Sequence, residues 1–100
     1  MISRHWRGLA MPEQAESYVE HLQNETFPAI RRIPGFVSAS ILRRRTDRGV
    51  EFLVVTRWSS IEAIRRFAGA DAETAVVPPK VQGMMFEYDV VVGGHYEVLA

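Results

Sequence analysis

The chain has 100 residues, 47% of them hydrophobic and 24% charged, and its formal net charge is zero. Balanced charge gives no overall field that attracts nucleic acid or an anionic membrane, and the absence of cysteine excludes disulfides and a thiol nucleophile. No apolar run approaches the roughly 18 residues of a membrane-spanning helix, and no signal peptide is evident, so we expect one cytoplasmic domain over residues 1–100, with no nucleic-acid or membrane partner.

The first third of the chain predicts a strand followed by a helix. Residues 2–7 are typical of a short strand that Gly8 ends. Met11-Pro12 begins the helix, because proline is tolerated in a first helical turn. Apolar residues then recur at helical spacing, at Ala15, Tyr18, Val19 and Leu22. Pro28 is expected to kink or restart this helix, and Pro34-Gly35 to end it.

The middle of the chain predicts a hairpin and a second helix. Residues 36–46 and 50–57 are two strands joined by a turn at Asp47-Arg48-Gly49. Ser59, with Glu62 three residues later, forms the capping-box pattern of a helix N-terminus.

The end of the chain predicts one more helical turn and a last strand. Gly69 ends the second helix, and residues 71–77 are expected to form the extra turn. Residues 84–92 predict the last strand, which Gly93-Gly94 breaks ahead of an extended tail at 95–99.

This β-α-β-β-α-β order predicts a ferredoxin-like α+β fold, a four-stranded antiparallel sheet with both helices on one face. Residues 52–55 (Phe-Leu-Val-Val) and 90–92 (Val-Val-Val) are apolar on both strand faces. Two helices cover only one face of a sheet. We therefore expect a homodimer in which a second copy covers the other sheet face.

Trp58 stands at the junction between a strand and a helix with almost no loop between them. A bulky ring there packs under the first turn of the helix, close to the hydrophobic-staple position. The alternative is that the indole forms a wall of a pocket for an aromatic ligand. The sequence leaves both interpretations open.

Two stretches of the chain form recognisable motifs: Trp58-Ser59 with Glu62-Ala63-Ile64 and Phe67-Ala68-Gly69, and the helix-to-strand joint Ile33-Pro34-Gly35-Phe36. Both resemble the antibiotic biosynthesis monooxygenase-like domains of the dimeric α+β barrel superfamily. The resemblance implies a homodimer whose sheets face each other in a barrel. It also implies a pocket between sheet and helices in each subunit, and a small aromatic ligand.

The same resemblance implies a cofactor-independent monooxygenase-type enzyme that acts on a small aromatic or polyketide-like substrate. The alternative is a non-catalytic, dimeric small-molecule-binding or stress-associated protein, since some relatives are isomerases or binding proteins. Haem-degrading relatives carry a Trp in the second helix and a His ligand soon after it. Here Phe67 stands where that Trp falls, and no histidine lies between His21 and His95, so haem degradation of that kind is not expected.

Histidines are the candidate catalytic bases, because a neutral imidazole accepts a phenolic proton near neutral pH. We select His95 and His5, since the first and last strands are neighbours in this fold; a hydrogen-bonded interface histidine is the alternative. His21 lies beside Glu20 and Glu25 and is predicted to be solvated.

Arg4 on the predicted central strand is the candidate that holds a carboxylate or phenolate. The candidate pocket walls are Trp6, Trp58, Phe67 and Tyr88. Plain core packing is the alternative for each of them. The histidines lack carboxylates at metal-ligand spacing, so no metal and no cofactor are expected.

Overall fold

Five strands form one antiparallel sheet in the structure, a computed structural model that describes residues 1–92 and 94–100. The strands are β1 Ile2–Ala10, β2 Phe36–Arg45, β3 Val50–Trp58, β4 Met85–Tyr88 and β5 Gly94–Glu97. Their order is β2-β3-β1-β4, with β5 also paired to β1. This is the strand order of the predicted ferredoxin-like α+β fold, which is confirmed. The sheet of the single chain is open and does not close into a barrel.

β1 is the central strand and runs past Gly8, so the prediction that Gly8 ends it is wrong. Gly8 pairs with Phe52 of β3 and Tyr88 of β4. A Cβ placed on Gly8 would lie 2.5 Å from Cη2 of Trp6. Gly8 therefore gives the Trp6 indole room to lie against the strand.

The last strand predicted over residues 84–92 is shorter in the structure. β4 ends at Tyr88, and the backbone N–H of Asp89 donates to the Arg7 carbonyl at 2.9 Å. The chain then leaves the sheet, and Val91 forms an isolated antiparallel bridge with Thr74. The predicted extended tail is β5, which begins at Gly94; Gly93, the other half of the predicted break, lies outside the described residues.

The first helical segment changes type along its length. It comprises a 3₁₀ turn at Pro12–Gln14, α1 at Ala15–His21, a π-helical turn at Leu22–Thr26 and α2 at Phe27–Ile30. The Phe27 N–H donates to the Leu22 carbonyl, a hydrogen bond across five residues. Pro28 follows at once and has no N–H to offer the preceding turn. A kink or restart was expected at Pro28; the helical backbone is continuous over residues 12–30, and α-helical geometry resumes at Phe27, beside the proline.

α3 spans Ile61–Ala68, and its N-cap is Ser60. The Ala63 N–H donates to Ser60 Oγ at 3.2 Å. The predicted capping box at Ser59 and Glu62 is therefore displaced by one residue, and Ser60 caps the helix alone.

Residues 71–77 do not form the predicted helical turn, and the next helix is α4 at Pro79–Gln82. The Ala75 N–H donates to the Val90 carbonyl at 3.0 Å, and the Val92 N–H donates to the Glu73 carbonyl at 2.7 Å. Residues 71–74 form a single non-helical turn, and the long-range hydrogen bonds occupy the Glu73 carbonyl and the Ala75 N–H, which a continuing helix would need.

Trp58 is fully buried on the inner, helix-facing side of β3. Its indole N–H donates to Thr56 Oγ1 at 2.8 Å. The ring stacks on Phe67, with centroids 5.8 Å apart, and meets the Phe36 ring edge-on at 5.4 Å. The structural interpretation of Trp58 is thus supported, and the ring of α3 that it stacks on, Phe67, lies in the last turn of that helix.

The outer sheet face carries no helix among residues 1–92 and 94–100. Register places Leu42 opposite Leu53 and Ser40 opposite Val55 on this face. Leu42 is 50% exposed, and Leu53 and Val55 are partly exposed. The apolar run at 52–55 therefore does present two faces, whereas Val90 and Val91 lie off the sheet and are exposed.

The two serines at the start of α3 provide a matched pair for a stability test. We expect Ser60→Ala to lower the free energy of unfolding by about 1 kcal/mol, because the Ala63 N–H loses its side-chain acceptor. Ser59 is exposed, and Ser59→Ala should change the free energy by less than about 0.5 kcal/mol. Urea denaturation of both variants measures this; a larger effect at Ser59 would contradict the cap assignment.

Candidate functional site

A cavity of about 70 Å³ lies between the inner sheet face and the helices; we call it the chamber. Most of its lining is apolar: Trp6, Leu22, Phe27, Ile30, Val54, Phe67, Val76, Pro78 and Val81. Its polar lining residues are Arg4, Tyr18, His21, Thr26 and Thr56. A single water needs about 10–15 Å³, so the chamber has room for several water molecules or for a small group of similar volume.

A second space of about 230 Å³ adjoins the chamber and is more open; we call it the vestibule. The two share lining residues, namely Thr26, Ile30, Phe67, Val76 and Pro78. A ligand with one ring in the chamber can therefore extend its remaining atoms into the vestibule. Functional small-molecule pockets are typically about 300–1,000 Å³, and the two spaces together reach the lower end of that range.

Arg4 is buried at the chamber wall, with 4% of its surface exposed. Residues with even numbers on β1 face the helices, because side chains alternate across a sheet. The guanidinium donates to the Ala72 carbonyl, to the Thr74 carbonyl at 2.7 Å and to His95 Nε2 at 2.9 Å. It also lies 5.8 Å from the centroid of the Phe67 ring. None of these partners carries a negative charge.

The charge of Arg4 has no carboxylate partner within 4 Å in the described part of the chain. Burial lowers the pKa of Arg4, since an apolar environment disfavours the charged form. A guanidinium nevertheless keeps its proton. The chamber wall thus holds a desolvated cation for which an anionic or electron-rich oxygen is a suitable partner.

His95 is held behind Arg4 and is absent from the chamber lining. An arginine only donates, so His95 Nε2 accepts and its proton resides on Nδ1. Burial, and secondly the positive charge of Arg4, lower the pKa of His95. Its basic nitrogen is occupied, so His95 is arranged to orient Arg4.

Trp6 forms one side of the chamber, and its indole has both a hydrogen-bond partner and an aromatic neighbour. Its indole N–H donates to the Asp89 carbonyl at 3.0 Å, and its ring centroid lies 5.9 Å from that of Tyr18. Phe67 lines both the chamber and the vestibule. The structure therefore brings together three of the sequence-selected residues, Arg4, Trp6 and Phe67.

The other sequence-selected residues lie elsewhere. His5 faces the outer side of the sheet, where Nε2 is 2.8 Å from Ser3 Oγ and the ring centroid is 5.0 Å from that of Tyr96. Tyr88 and Trp58 also do not line the chamber. His5 and His95 are on neighbouring strands, as expected, but they point to opposite faces.

His21 is the residue that sequence reasoning missed: the prediction of a solvated side chain is wrong. The side chain is 7% exposed and lines the chamber. Its Nδ1 is 3.2 Å from Glu25 Oε2, and the same oxygen accepts from Lys80 Nζ at 2.6 Å. The available signal was spacing, since His21 stands three residues after Tyr18 and beside Leu22 in the apolar stripe.

The described residues contain no group of three or more His, Asp or Glu side chains placed to hold a metal ion. None of their helices has the length and apolarity required to cross a membrane.

The fold and the chamber define a ferredoxin-like α+β protein with a largely apolar cavity beneath its helices. The family model of antibiotic biosynthesis monooxygenase matches residues 1–78, and the chain belongs to this family. The matched region includes Arg4, Trp6, His21 and Phe67, and ends before β4 and β5. A search of curated proteins found no match.

Several solved structures are similar to this chain. A Bacillus cereus protein, provisionally assigned as an antibiotic biosynthesis monooxygenase, is 20% identical with a TM-score of 0.66, covering 99% of this chain and 93% of its own. The ActVA-Orf6 monooxygenase of Streptomyces coelicolor, in complex with nanaomycin D, is 25% identical with a TM-score of 0.54, covering 70% and 62% respectively. A point mutant of MhuD with two manganese protoporphyrin IX molecules bound per active site is 21% identical with a TM-score of 0.55, covering 100% and 96%.

The environment of His95 predicts a pH dependence of stability. Its pKa is lower when folded than the ordinary value of 6.5, so the unfolded chain binds more protons as the pH falls below that value. The free energy of unfolding should therefore decrease as the pH is lowered through this range.

The measurement is urea denaturation between neutral and mildly acidic pH, with wild type and His95→Asn in parallel. The variant should lose less stability than wild type over the same interval, since its side chain does not titrate. Equal losses in the two proteins would show that His95 is not held neutral.

Proposed function

We propose that this chain is a cofactor-independent monooxygenase-type enzyme that oxidises a small phenolic aromatic molecule bound in the chamber. The observation that carries the proposal is the buried Arg4 guanidinium, without a carboxylate partner among the described residues, at the wall of an apolar chamber. Family membership supports the reaction class. The ActVA-Orf6 neighbour, a monooxygenase with a bound ligand, supports it further.

The chamber suits a phenol for physical reasons. Trp6 and Phe67 offer ring surfaces to an aromatic ligand, and Arg4 offers a cation to its oxygen. A phenolate is the electron-rich form that reacts with molecular oxygen, and a nearby desolvated cation stabilises it more strongly than water does.

The proposed reaction balances without an external reductant. A phenol with a free para position takes up one O₂; the para C–H bond is replaced by C=O, and the second oxygen atom leaves as water. The substrate supplies all the electrons and becomes a quinone. The protein is required to bind the aromatic ring, to favour the phenolate and to limit access of water.

A second candidate function is a non-catalytic protein that binds the same class of molecule. The largely apolar lining favours it, as does the position of the two sequence-selected histidines, His5 and His95, outside the chamber. Oxygen consumption separates the two candidates, because both predict binding and one alone predicts turnover.

The test uses 1-naphthol as the probe, with an oxygen electrode and mass spectrometry of the product made under ¹⁸O₂. We expect oxygen uptake with one labelled atom in the quinone. Arg4→Met should weaken 1-naphthol binding by about 10- to 100-fold, because a hydrogen bond to a charged group is lost. Arg57 is an exposed arginine on the outer side of β3, and Arg57→Met is the matched control.

Binding of 1-naphthol without oxygen uptake would favour the second candidate function. No binding, or equal binding by the Arg4→Met and wild-type proteins, would refute the assignment of the chamber. Thermal unfolding of each variant verifies that Arg4→Met remains folded.

We also propose that two copies pair through the outer sheet face. This face presents Leu42, Leu53 and Val55 without a covering helix in the described chain. Beside them, Glu51 accepts from Arg44 Nε at 2.7 Å and from Arg7 Nε at 2.8 Å. An apolar centre with charged groups at its edge is the usual composition of a protein interface.

Substituting the centre of this face should dissociate the dimer. Leu53→Asp would bury an unpaired charge in each half of the interface, a cost of about 3–5 kcal/mol that raises the dissociation constant more than a hundredfold. Sedimentation velocity over a concentration series measures this. Val90 is exposed and lies off the sheet, so Val90→Asp should leave the dimer intact. A wild-type protein that is monomeric throughout would exclude the proposed pairing.

A further inference from the structure

We propose that His21, paired with Glu25, is the base of the chamber and accepts the hydroxyl proton of the bound phenol. This inference rests on the proposed function and adds to it the residue that generates the phenolate. His21 is the one histidine of the chain's three that lines the chamber.

Hydrogen bonding defines which nitrogen of His21 is available. Nδ1 lies 3.2 Å from Glu25 Oε2, and a carboxylate only accepts, so Nδ1 carries the proton. In the neutral imidazole, Nε2 then has the free lone pair. Nε2 makes no hydrogen bond to the described residues, among which no fully buried side-chain nitrogen or oxygen lacks a partner. Nε2 is therefore not fully buried, and the cavity that the His21 side chain lines is the chamber.

Glu25 is kept ionised by its neighbours. The Lys80 ammonium of α4, at 2.6 Å, and secondly the hydrogen bond from His21 lower the pKa of Glu25. An anionic Glu25 fixes the His21 tautomer and stabilises the imidazolium that forms when Nε2 takes a proton. Lys80 donates to the same Glu25 oxygen that accepts from His21 Nδ1, which holds the carboxylate in place beside the imidazole.

The π-helical turn explains why these residues are placed this way. α1 ends at His21, and the wider turn Leu22–Thr26 follows it at once. Such turns are rare and occur preferentially at functional sites. The turn lies between the buried His21 and the buried Phe27, and carries the exposed Glu25.

The other titratable groups around the chamber are compatible with a base at His21. On the same helix, burial raises the pKa of Tyr18, so that its hydroxyl stays neutral. Across the chamber the sheet contributes Arg4, a donor that cannot accept a proton. α4 contributes the Lys80 ammonium, which donates to Glu25. The lining residue of α3 is Phe67, which does not titrate. His21 is thus the proton acceptor of the lining.

The step itself is a single proton transfer. The phenolic O–H bond breaks, an N–H bond forms at His21 Nε2, and the phenolate remains in the chamber opposite an imidazolium supported by Glu25. No electron is transferred in this step. Reaction of the phenolate with oxygen follows as described above.

The test compares two probes that differ in one hydrogen-bond donor, 4-methylphenol and 4-methylanisole, by isothermal titration calorimetry. Both contain an oxygen that accepts from Arg4, but the first alone can donate to His21. In His21→Phe, we expect the binding preference for 4-methylphenol to fall about tenfold relative to wild type. His21→Gln retains an acceptor and should keep most of the preference. Gln23, exposed on the same turn, gives Gln23→Ala as the matched control.

The possible outcomes distinguish a failure of the His21 role from a failure of the proposed function. If both probes bind and their ratio is the same in His21→Phe as in wild type, the role of His21 is wrong while the proposed function stands. If neither probe binds wild type, the proposed function fails and the base with it. A lost preference in His21→Phe with retention in His21→Gln and Gln23→Ala supports the base.

A second variant covers the case in which His21→Phe does not fold. The Glu25 side chain is 55% exposed, so Glu25→Gln should fold normally. The probe is 4-nitrophenol, whose ionised form is yellow. Loss of the Glu25 charge should raise the apparent pKa of bound 4-nitrophenol, lowering its ionised fraction severalfold; an unchanged value would overturn the proposal.

Discussion

Burial of the Arg4 guanidinium on the central strand is the constraint on which the rest of the site depends. Removing a charge from water costs several kcal/mol unless its donors are satisfied. The carbonyl groups of Ala72 and Thr74, together with His95, satisfy three of its five N–H donors here. The segment after α3 therefore has to lie beside β1, where Thr74 also forms its bridge to Val91. One arginine thus links the central strand, the segment after α3 and the last strand.

The pleat of β1 divides the chemistry of the protein between two faces. The inner face carries Arg4 and Trp6 into the chamber, and the outer face carries His5 beside Tyr96. Because the period of a strand is two residues, adjacent residues such as Arg4 and His5 never serve the same site. His95 shares the inner face with Arg4 and keeps that cation in place. The ligand site and the proposed subunit contact can therefore change independently.

The helical layer contributes what the sheet cannot supply. The sheet side of the chamber offers a cation, an indole and apolar groups, but no proton acceptor of useful basicity. The π-helical turn supplies one by placing His21 inside and Glu25 outside, where Lys80 reaches it. A strained or unusual turn of this kind persists when the surrounding packing compensates for it, and here Leu22 and Phe27 are both buried in the core.

Local pattern was sufficient to predict the order of the elements and the ferredoxin-like fold, because hydrophobic periodicity and turn residues act over a few positions. The N-cap of α3 was predicted at Ser59 but lies at Ser60, because two adjacent serines offer the same hydroxyl. Other features depended on contacts between distant parts of the chain. His21 lies in the lining of the chamber, where residues of the sheet, α3 and α4 meet the first helix. The helical turn expected at 71–77 was replaced by hydrogen bonds to residues 90–92, and such long-range pairing leaves no periodic signal in the chain.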